Sequence, residues 1–176
     1  MAANQALLII DMQAAMFGQG DPVYQGDALL ATAGTLIGKA RATDTAIIYI
    51  QHNAGTGKPL EPLQPGWQIH PSIAPAAEDL VIQKHSPDSF HQTSLLEQLT
   101  NRSIQELFIV GVQTEVCVDT TCRRAYSLGY RTTLIADAHS TFHSDGLSDP
   151  QIIRHHNVVL RWFCAVEASR DVAFEE

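Results

Sequence analysis

Short apolar runs alternate with longer segments of helical periodicity along most of the chain. Five runs of strand length, each typical of a strand buried on both faces, occupy residues 6–10, 46–50, 80–82, 107–110 and 133–136. Helical spacing of apolar residues is found in 27–42, 93–99, 114–128 and 150–163. This alternation requires right-handed crossover connections. It therefore predicts an α/β fold with a mainly parallel sheet of five or six strands, covered by helices on both faces.

The longest segment without regular periodicity is residues 53–79, which contains five of the eight prolines. A loop of this length within a compact domain is usually functional or disordered. Trp67 and Ile69 give the segment apolar side chains with which to pack. We interpret it as an ordered lid or a subunit contact, and a merely solvated loop is the alternative.

Composition limits the class of protein. A chain of 176 residues can bury a sizeable core, and we expect residues 1–176 to form one domain. The net charge of −8 argues against nucleic acid and anionic membranes as partners, and no apolar run approaches the roughly 18 residues of a membrane span. The first apolar run is too short for a signal peptide, and Asp11 interrupts it. Three cysteines without paired spacing indicate a reducing compartment, so we expect a cytoplasmic protein.

Cys117 stands where the fourth predicted strand passes into a helix. We expect Thr114 to cap that helix, which places Cys117 in the first turn. The unpaired N–H groups and the dipole of that turn would stabilise a thiolate and lower the pKa of the thiol. A nucleophile is mounted at such a position in many α/β proteins, but a buried structural cysteine is the commoner fate of the residue. Position alone does not separate the two.

Polar side chains follow the carboxyl ends of all five predicted strands, the edge where doubly wound sheets bind ligands. They are Asp11 and Gln13, then Gln51 and His52, then Lys84, His85 and Asp88, then the segment from Gln113 to Cys117, and finally Asp137, His139 and Ser140. The predicted topology gathers a carboxylate, an ammonium and a thiol there, although Asp11, Lys84 and Cys117 are far apart in sequence. A carboxylate can take the thiol proton and return it to a leaving group, while a cation holds the thiolate.

Four short sequence blocks stand in order between the N-terminus and about residue 140. They are LIIDMQ at 8–13, Lys84 with SPDSF at 86–90, GVQTEVCV at 111–118 with its continuation to Tyr130, and ADA at 136–138. Any one block is weak evidence. With all four in order, the chain resembles the isochorismatase-like cysteine hydrolase superfamily, whose members include nicotinamidases and N-carbamoylsarcosine amidases. The resemblance implies a three-layer α/β/α Rossmann-like fold.

The resemblance also implies a chemistry. It assigns a catalytic triad to Asp11, Lys84 and Cys117, although Lys84 alone would be taken for a solvated surface lysine and Asp11 for a loop cap. It places a non-proline cis peptide at Val112–Gln113, which would aim the N–H of Gln113 beside that of Cys117 to form an oxyanion hole. The implied protein is a cofactor-free hydrolase of small amides or ureido compounds that acts through a thioester. We expect it to be a homo-oligomer, either a dimer or a tetramer.

The chain departs from metal-dependent nicotinamidases near His52. Those relatives carry an Asp-x-His pair with further histidines nearby, whereas Ile50 stands here at the Asp position. His52 and His70 without a carboxylate make a poor metal site. We therefore expect no metal, and assign His52 to the pocket wall or to a loop hydrogen bond.

Further pocket candidates come from the loops. Gln13 is placed beside Asp11 or against substrate, and Phe17, Trp67 and Phe90 are candidates for an apolar wall, although each of these aromatic residues is more often simply part of the core.

Two other functions stay open as alternatives. One is a peroxide-sensing thiol at Cys117, which needs a resolving thiol, and the five-residue spacing to Cys122 is not that of a redox pair. The other is a metal-dependent, nicotinamidase-like hydrolase.

Overall fold

The computed structural model describes residues 4–18 and 20–175. Its six strands form a single sheet in the order β3-β2-β1-β4-β5-β6. The strands are β1 (Gln5–Ile10), β2 (Ala46–His52), β3 (Leu80–Lys84), β4 (Glu106–Val112), β5 (Arg131–Ser140) and β6 (Ala165–Glu167). Each of the five strand pairings is parallel. The predicted α/β fold is therefore confirmed, and β6 supplies the sixth strand.

Within the described residues, four α-helices connect or flank the strands. They are α1 (Gly26–Ala42), α2 (Leu95–Asn101), α3 (Asp119–Ser127) and α4 (Asp149–Val159). One π-helical turn, Thr114–Val118, precedes α3, and a 3-10 turn, Leu160–Trp162, continues α4. A capping box between Ser148 and Gln151 begins α4, with Pro150 in its first turn. None of the described helices has the length and apolar character that a membrane crossing requires.

Two apolar cores lie on opposite faces of the sheet. Along β1 the side chains alternate, so that Leu7 and Ile9 pack with Leu36 of α1 on one face. Leu8 and Ile10 pack on the other face, in a core that also contains residues of α2 and α3. Burial of both faces explains why the strands read as continuous apolar runs, and it gives the three-layer arrangement.

The central strands β1 and β4 approach each other closely where they end. Ile10 lies opposite Gly111 in the register. Gly111 has a φ of +132°, and a Cβ atom at this position would overlap the carbonyl oxygen of Ile10. Only glycine fits such a position. The close approach sets the end of β1, followed by Asp11, against the end of β4, from which the turn Thr114–Val118 departs.

The proline-rich segment 53–79 is folded against the sheet edge. It contains two 3-10 turns, Pro65–Trp67 and Pro71–Ile73. The N–H of Ala54 donates to the carbonyl of Leu60 at 2.9 Å, and the indole Nε1 of half-buried Trp67 donates to Asn53 Oδ1 at 2.7 Å. These contacts agree with an ordered segment rather than a solvated loop.

Candidate active site

The ammonium group of Lys84, at the end of β3, is the centre of a buried polar cluster. The side chain is 0% exposed, and Nζ lies 2.7 Å from Asp11 Oδ2. It also lies 3.1 Å from Cys117 Sγ, 3.0 Å from the carbonyl of Ser86 and 3.3 Å from His52 Nδ1. An ammonium has three N–H bonds, so these four acceptors compete for its hydrogens. The structure thus brings together the carboxylate, ammonium and thiol that the predicted topology gathered.

Asp11 follows β1 in a left-handed backbone conformation, with a φ of 51°. Its N–H donates to the carbonyl of Ile50 at 2.9 Å, which holds the residue to β2. Oδ1 of the carboxylate is buried and has no hydrogen-bond partner within residues 4–18 and 20–175. Burial raises the pKa of the Asp11 carboxyl, and the Lys84 ammonium opposes that rise. Asp11 therefore has a buried oxygen available to accept a proton.

Cys117 lies in the π-helical turn rather than in regular α-helix. The N–H of Val118 reaches back five residues to the carbonyl of Gln113, at 3.1 Å. Gln113 occupies the N-cap position and makes no side-chain cap. The expectation that Thr114 is the cap is therefore wrong. Its hydroxyl lies instead 2.8 Å from His139 Nδ1, which anchors the start of the turn to β5.

The pKa of Cys117 is raised to about 12. Burial is the largest cause, the negative charge of Asp11 adds to it, and the Lys84 ammonium opposes both. The expected lowering of this pKa is therefore wrong, because burial and the neighbouring carboxylate both raise it. At neutral pH the thiol is protonated, so ionisation of Cys117 requires a base beside it.

The peptide bond between Val112 and Gln113 is cis. It joins the end of β4 to the turn that carries Cys117, and both of its residues line the same cavity as Cys117. The backbone of the expected oxyanion hole thus borders the space next to the thiol. Its function as a pair of donors stays a prediction.

A cavity of about 640 Å³ opens beside Cys117, a size typical of small-molecule sites. Its polar lining consists of Asp11, Asp21, His52, Lys58, Gln113 and Cys117. Its apolar lining consists of Ala15, Met16, Ala54, Pro59, Leu60, Pro87, Val112, Val116 and Phe142. Four of these residues belong to the stretch 54–60, which we call the lid. Part of the proline-rich segment therefore lines the cavity, and its function as a lid stays a prediction.

Gln13 is not in the lining, and its expected position against substrate is wrong. The side chain is 0% exposed, and Nε2 donates to the carbonyl oxygens of His52 at 3.0 Å and Trp67 at 2.8 Å. Oε1 accepts the N–H of His52 at 2.9 Å. Gln13 therefore fastens the end of β2 to the proline-rich segment, and it acts on the site only through them.

The three aromatic candidates also lie outside the lining. Phe17 packs edge-on against His70, with ring centroids 5.2 Å apart, and Phe90 stacks on Tyr130 at 6.0 Å in the core. Trp67 is held by its hydrogen bond to the loop. The wall is formed instead by residues such as Met16, Leu60 and Phe142, which no periodic pattern marked. Only the tertiary packing distinguishes a side chain that faces the cavity from its neighbour behind the wall.

His52 lines the cavity as expected, whereas His70 is held elsewhere. Nδ1 of His70 accepts the N–H of Ser72 at 3.3 Å, inside a 3-10 turn. Across the described ranges, no group of three or more His, Cys, Asp or Glu residues is placed to hold a metal ion. The donor set of a catalytic metal is thus not assembled around His52.

The remaining thiols and the fifth-strand residues have structural positions. All three cysteines are free; Cys122 of α3 is buried in the core, and half-buried Cys164 packs against the same core. Asp137 accepts the N–H and the hydroxyl of Ser169, each at 2.7 Å, and so braces the C-terminal segment. His139 links the start of the turn that carries Cys117, Thr114–Val118, to α4, through a hydrogen bond with Asn157 of 2.9 Å.

Comparison with known proteins places the chain in a family. A family model described as the isochorismatase domain matches residues 5–156. A streptothricin hydrolase from Streptomyces noursei is 34% identical over 148 residues, which cover 82% of this chain and 59% of that protein. An uncharacterised isochorismatase family protein, YddQ of Bacillus subtilis (strain 168), is 32% identical over 139 residues, 77% of each chain.

A solved structure agrees with these matches. The crystal structure of an isochorismatase from Pseudomonas putida KT2440 superimposes with a TM-score of 0.91 at 28% identity, covering 96% of this chain and 90% of that one. This chain spans only 59% and 50% of the length of the two streptothricin hydrolases that it matches. The match over residues 5–156, together with the shared fold, confirms the resemblance: the chain belongs to the isochorismatase family.

Proposed function

We propose that this protein is a cofactor-free cysteine hydrolase that cleaves the C–N bond of a small carboxamide or ureido compound. The observation that carries the proposal is the contact of one buried ammonium, Lys84, with both Asp11 and Cys117 beside a substrate-sized cavity. Membership of a family that includes a protein named as a hydrolase supports it.

In the acylation half, Asp11 Oδ1 takes the proton of the Cys117 thiol, and the sulfur attacks the substrate carbonyl. An S–C bond forms and the carbonyl oxygen becomes an oxyanion, which the N–H groups of Gln113 and Cys117 hold. Lys84 stays charged and neutralises the thiolate before attack. Asp11 then gives its proton to the departing nitrogen, the C–N bond breaks, and ammonia or an amine leaves a thioester on Cys117.

In the deacylation half, a water molecule enters where the amine left. Asp11 takes one of its protons, and the resulting hydroxide attacks the thioester carbonyl. The C–S bond breaks, the acid product leaves, and the proton on Asp11 returns to the sulfur. Protons and bonds balance over the cycle, so the reaction consumes one water and needs no other reactant.

The two alternatives have less support. A peroxide-sensing function at Cys117 needs a second thiol to resolve the oxidised sulfur, and Cys122 is packed in the core with Cys164. A metal-dependent hydrolase needs a ligand set that the described residues do not assemble around His52. Neither alternative accounts for the buried Asp11–Lys84 pair.

The experiment measures the release of ammonia or a free amine from a panel of primary amides, ureido compounds and streptothricin. We expect release by the wild type and its loss in Cys117→Ala and Lys84→Met, with Cys164→Ser as the control for removal of a cysteine outside the site. Ammonia release that persists in Cys117→Ala, or full turnover by Lys84→Met, would contradict the proposed assignment of these residues.

A further inference from the structure

Three contacts fix the position of His52 in the cavity wall. It ends β2, and Gln13 fixes its backbone through hydrogen bonds to both N–H and C=O, at 2.9 and 3.0 Å. The third contact is from Nδ1 of the ring to Lys84 Nζ, at 3.3 Å. The ring therefore has a fixed orientation relative to the reacting groups.

The contact with Lys84 determines which ring nitrogen carries the hydrogen. An ammonium only donates, so Nδ1 accepts and the neutral ring carries its hydrogen on Nε2. Burial and the Lys84 charge both lower the pKa of His52, in agreement with a neutral ring.

Nε2 is not fully buried and is free to bind a ligand. It has no hydrogen-bond partner among the described residues, and it is not one of their four buried, unpartnered side-chain atoms. His52 lines the same cavity as Cys117, so Nε2–H is an unused hydrogen-bond donor on a residue of the cavity wall.

The charged side chains of the lining differ in burial. Asp11 is buried and paired with Lys84, whereas Asp21 and Lys58 are exposed to solvent. The rest of the described lining is mainly apolar, with Met16, Leu60 and other carbon-rich side chains. A charged group on the substrate body would lose its hydration there without gaining a partner, which is costly.

Resting on the proposed hydrolase function, we propose that His52 is a specificity-determining residue that donates Nε2–H to an acceptor atom of the substrate. The substrate class is then an uncharged amide with a compact apolar body that carries one ether, carbonyl or ring-nitrogen acceptor near the scissile carbonyl. In this assignment His52 binds substrate and transfers no proton.

Matched amides and two variants test the assignment. The probes are cyclohexanecarboxamide, the 2-, 3- and 4-isomers of tetrahydropyrancarboxamide, and piperidine-4-carboxamide as the charged analogue. We expect the best tetrahydropyran isomer to exceed cyclohexanecarboxamide in kcat/KM by about 3- to 10-fold, the value of one neutral hydrogen bond. We expect the cationic amide to be at least about 10-fold poorer than cyclohexanecarboxamide.

The variants separate the two nitrogens of His52. His52→Asn keeps an acceptor for Lys84 near the Nδ1 position but has no donor at the Nε2 position, so the ratio of kcat/KM between the best tetrahydropyran isomer and cyclohexanecarboxamide should fall to about 1. His52→Gln places an amide N–H near the Nε2 position and should retain part of the preference. A preference that survives in His52→Asn would overturn the assignment.

Two further readouts keep this inference separate from the proposed function. Nitrogen-15 spectra of histidine-labelled protein at pH 7.5 should show His52 as the neutral Nε2–H tautomer, and the other tautomer or a charged ring would overturn the inference. If the protein releases ammonia from another compound but hydrolyses none of these amides, the proposed substrate class alone is overturned. If ammonia release persists in Cys117→Ala, the proposed cysteine hydrolase function on which this inference rests is overturned.

Discussion

Of the charged residues beside Cys117, Asp11 has the largest effect on the pKa of the thiol. Asp11 and Cys117 are both buried against Lys84, and a single positive charge cannot stabilise two anions equally. The carboxylate has the shorter contact, and the pKa of the thiol rises to about 12. Asp11 thus disfavours the same thiolate that it generates in the proposed mechanism.

Asp11→Asn separates these two effects. Removing the negative charge lowers the pKa of Cys117, so alkylation by iodoacetamide at pH 8 should become faster than in the wild type. Amide hydrolysis should fall by at least about 100-fold, because the proton acceptor is gone.

Asp27→Asn, which changes an exposed carboxylate in the first turn of α1, is the matched control and should alter neither rate. Slower alkylation in Asp11→Asn would mean that Asp11 ionises the thiol already in the resting protein.

At the scale of elements, the site depends on contacts between loops that leave the sheet at one edge. The side chain of Gln13 makes three hydrogen bonds, two with His52 and one with the carbonyl of Trp67. The same carbonyl also accepts Gln51 Nε2 at 3.0 Å. The buried side-chain amide of Gln13 therefore holds the end of β2 to the proline-rich segment, although Gln13 itself does not line the cavity.

Gln13→Met preserves the size of the side chain but removes these hydrogen bonds. The N–H of His52 is then left without its acceptor, which should lower the free energy of unfolding by about 1–3 kcal/mol. Hydrogen exchange in the lid, residues 54–60, should accelerate, and KM should rise more than kcat falls.

Gln64→Met, an exposed change in the same proline-rich segment, is the control for the loss of a glutamine. Unchanged exchange in the lid of Gln13→Met would contradict the fastening function of Gln13.

On the scale of the whole molecule, His139 connects the turn that carries Cys117, Thr114–Val118, to α4, which packs on β5. Asn157 Nδ2 donates to the carbonyl of Ala136 at 3.0 Å, so its Oδ1 accepts the Nε2–H of His139, and the Thr114 hydroxyl donates to Nδ1. Burial lowers the pKa of His139 to about 4. Because the neutral ring is bonded at both nitrogens, protonation of this residue is coupled to global stability.

The free energy of unfolding should therefore decrease as the pH falls from about 6.5 to about 4. In that range the unfolded chain binds a proton at His139 while the folded protein does not, so acid favours unfolding. Each pKa unit is worth about 1.4 kcal/mol, which gives a loss of about 3 kcal/mol by pH 4.

Urea unfolding at a series of pH values measures this slope. His139→Gln should reduce it, whereas His91→Gln, at an exposed position, should not. Equal slopes in the wild type and His139→Gln would contradict the assignment.

Sequence alone determined the architecture and the gathering of a carboxylate, an ammonium and a thiol at one edge of the sheet. Apolar runs and helical spacing are local properties, and parallel strands joined by crossovers bring their carboxyl ends to one edge. That reasoning placed Asp11, Lys84 and Cys117 together without any knowledge of side-chain packing. It also located the segment from which the lid is formed, because a long irregular stretch within a regular alternation is itself a signal.

Only the tertiary structure decided which side chains face the cavity and how the buried charges influence one another. Phe17 and Met16 are adjacent in the chain, yet packing turns Met16 towards the cavity and Phe17 towards His70. The pKa of Cys117 likewise depends on burial and on its distances to two charges, neither of which a sequence contains. Periodicity reports which face of an element is buried, whereas specificity and ionisation follow from contacts between residues distant in sequence.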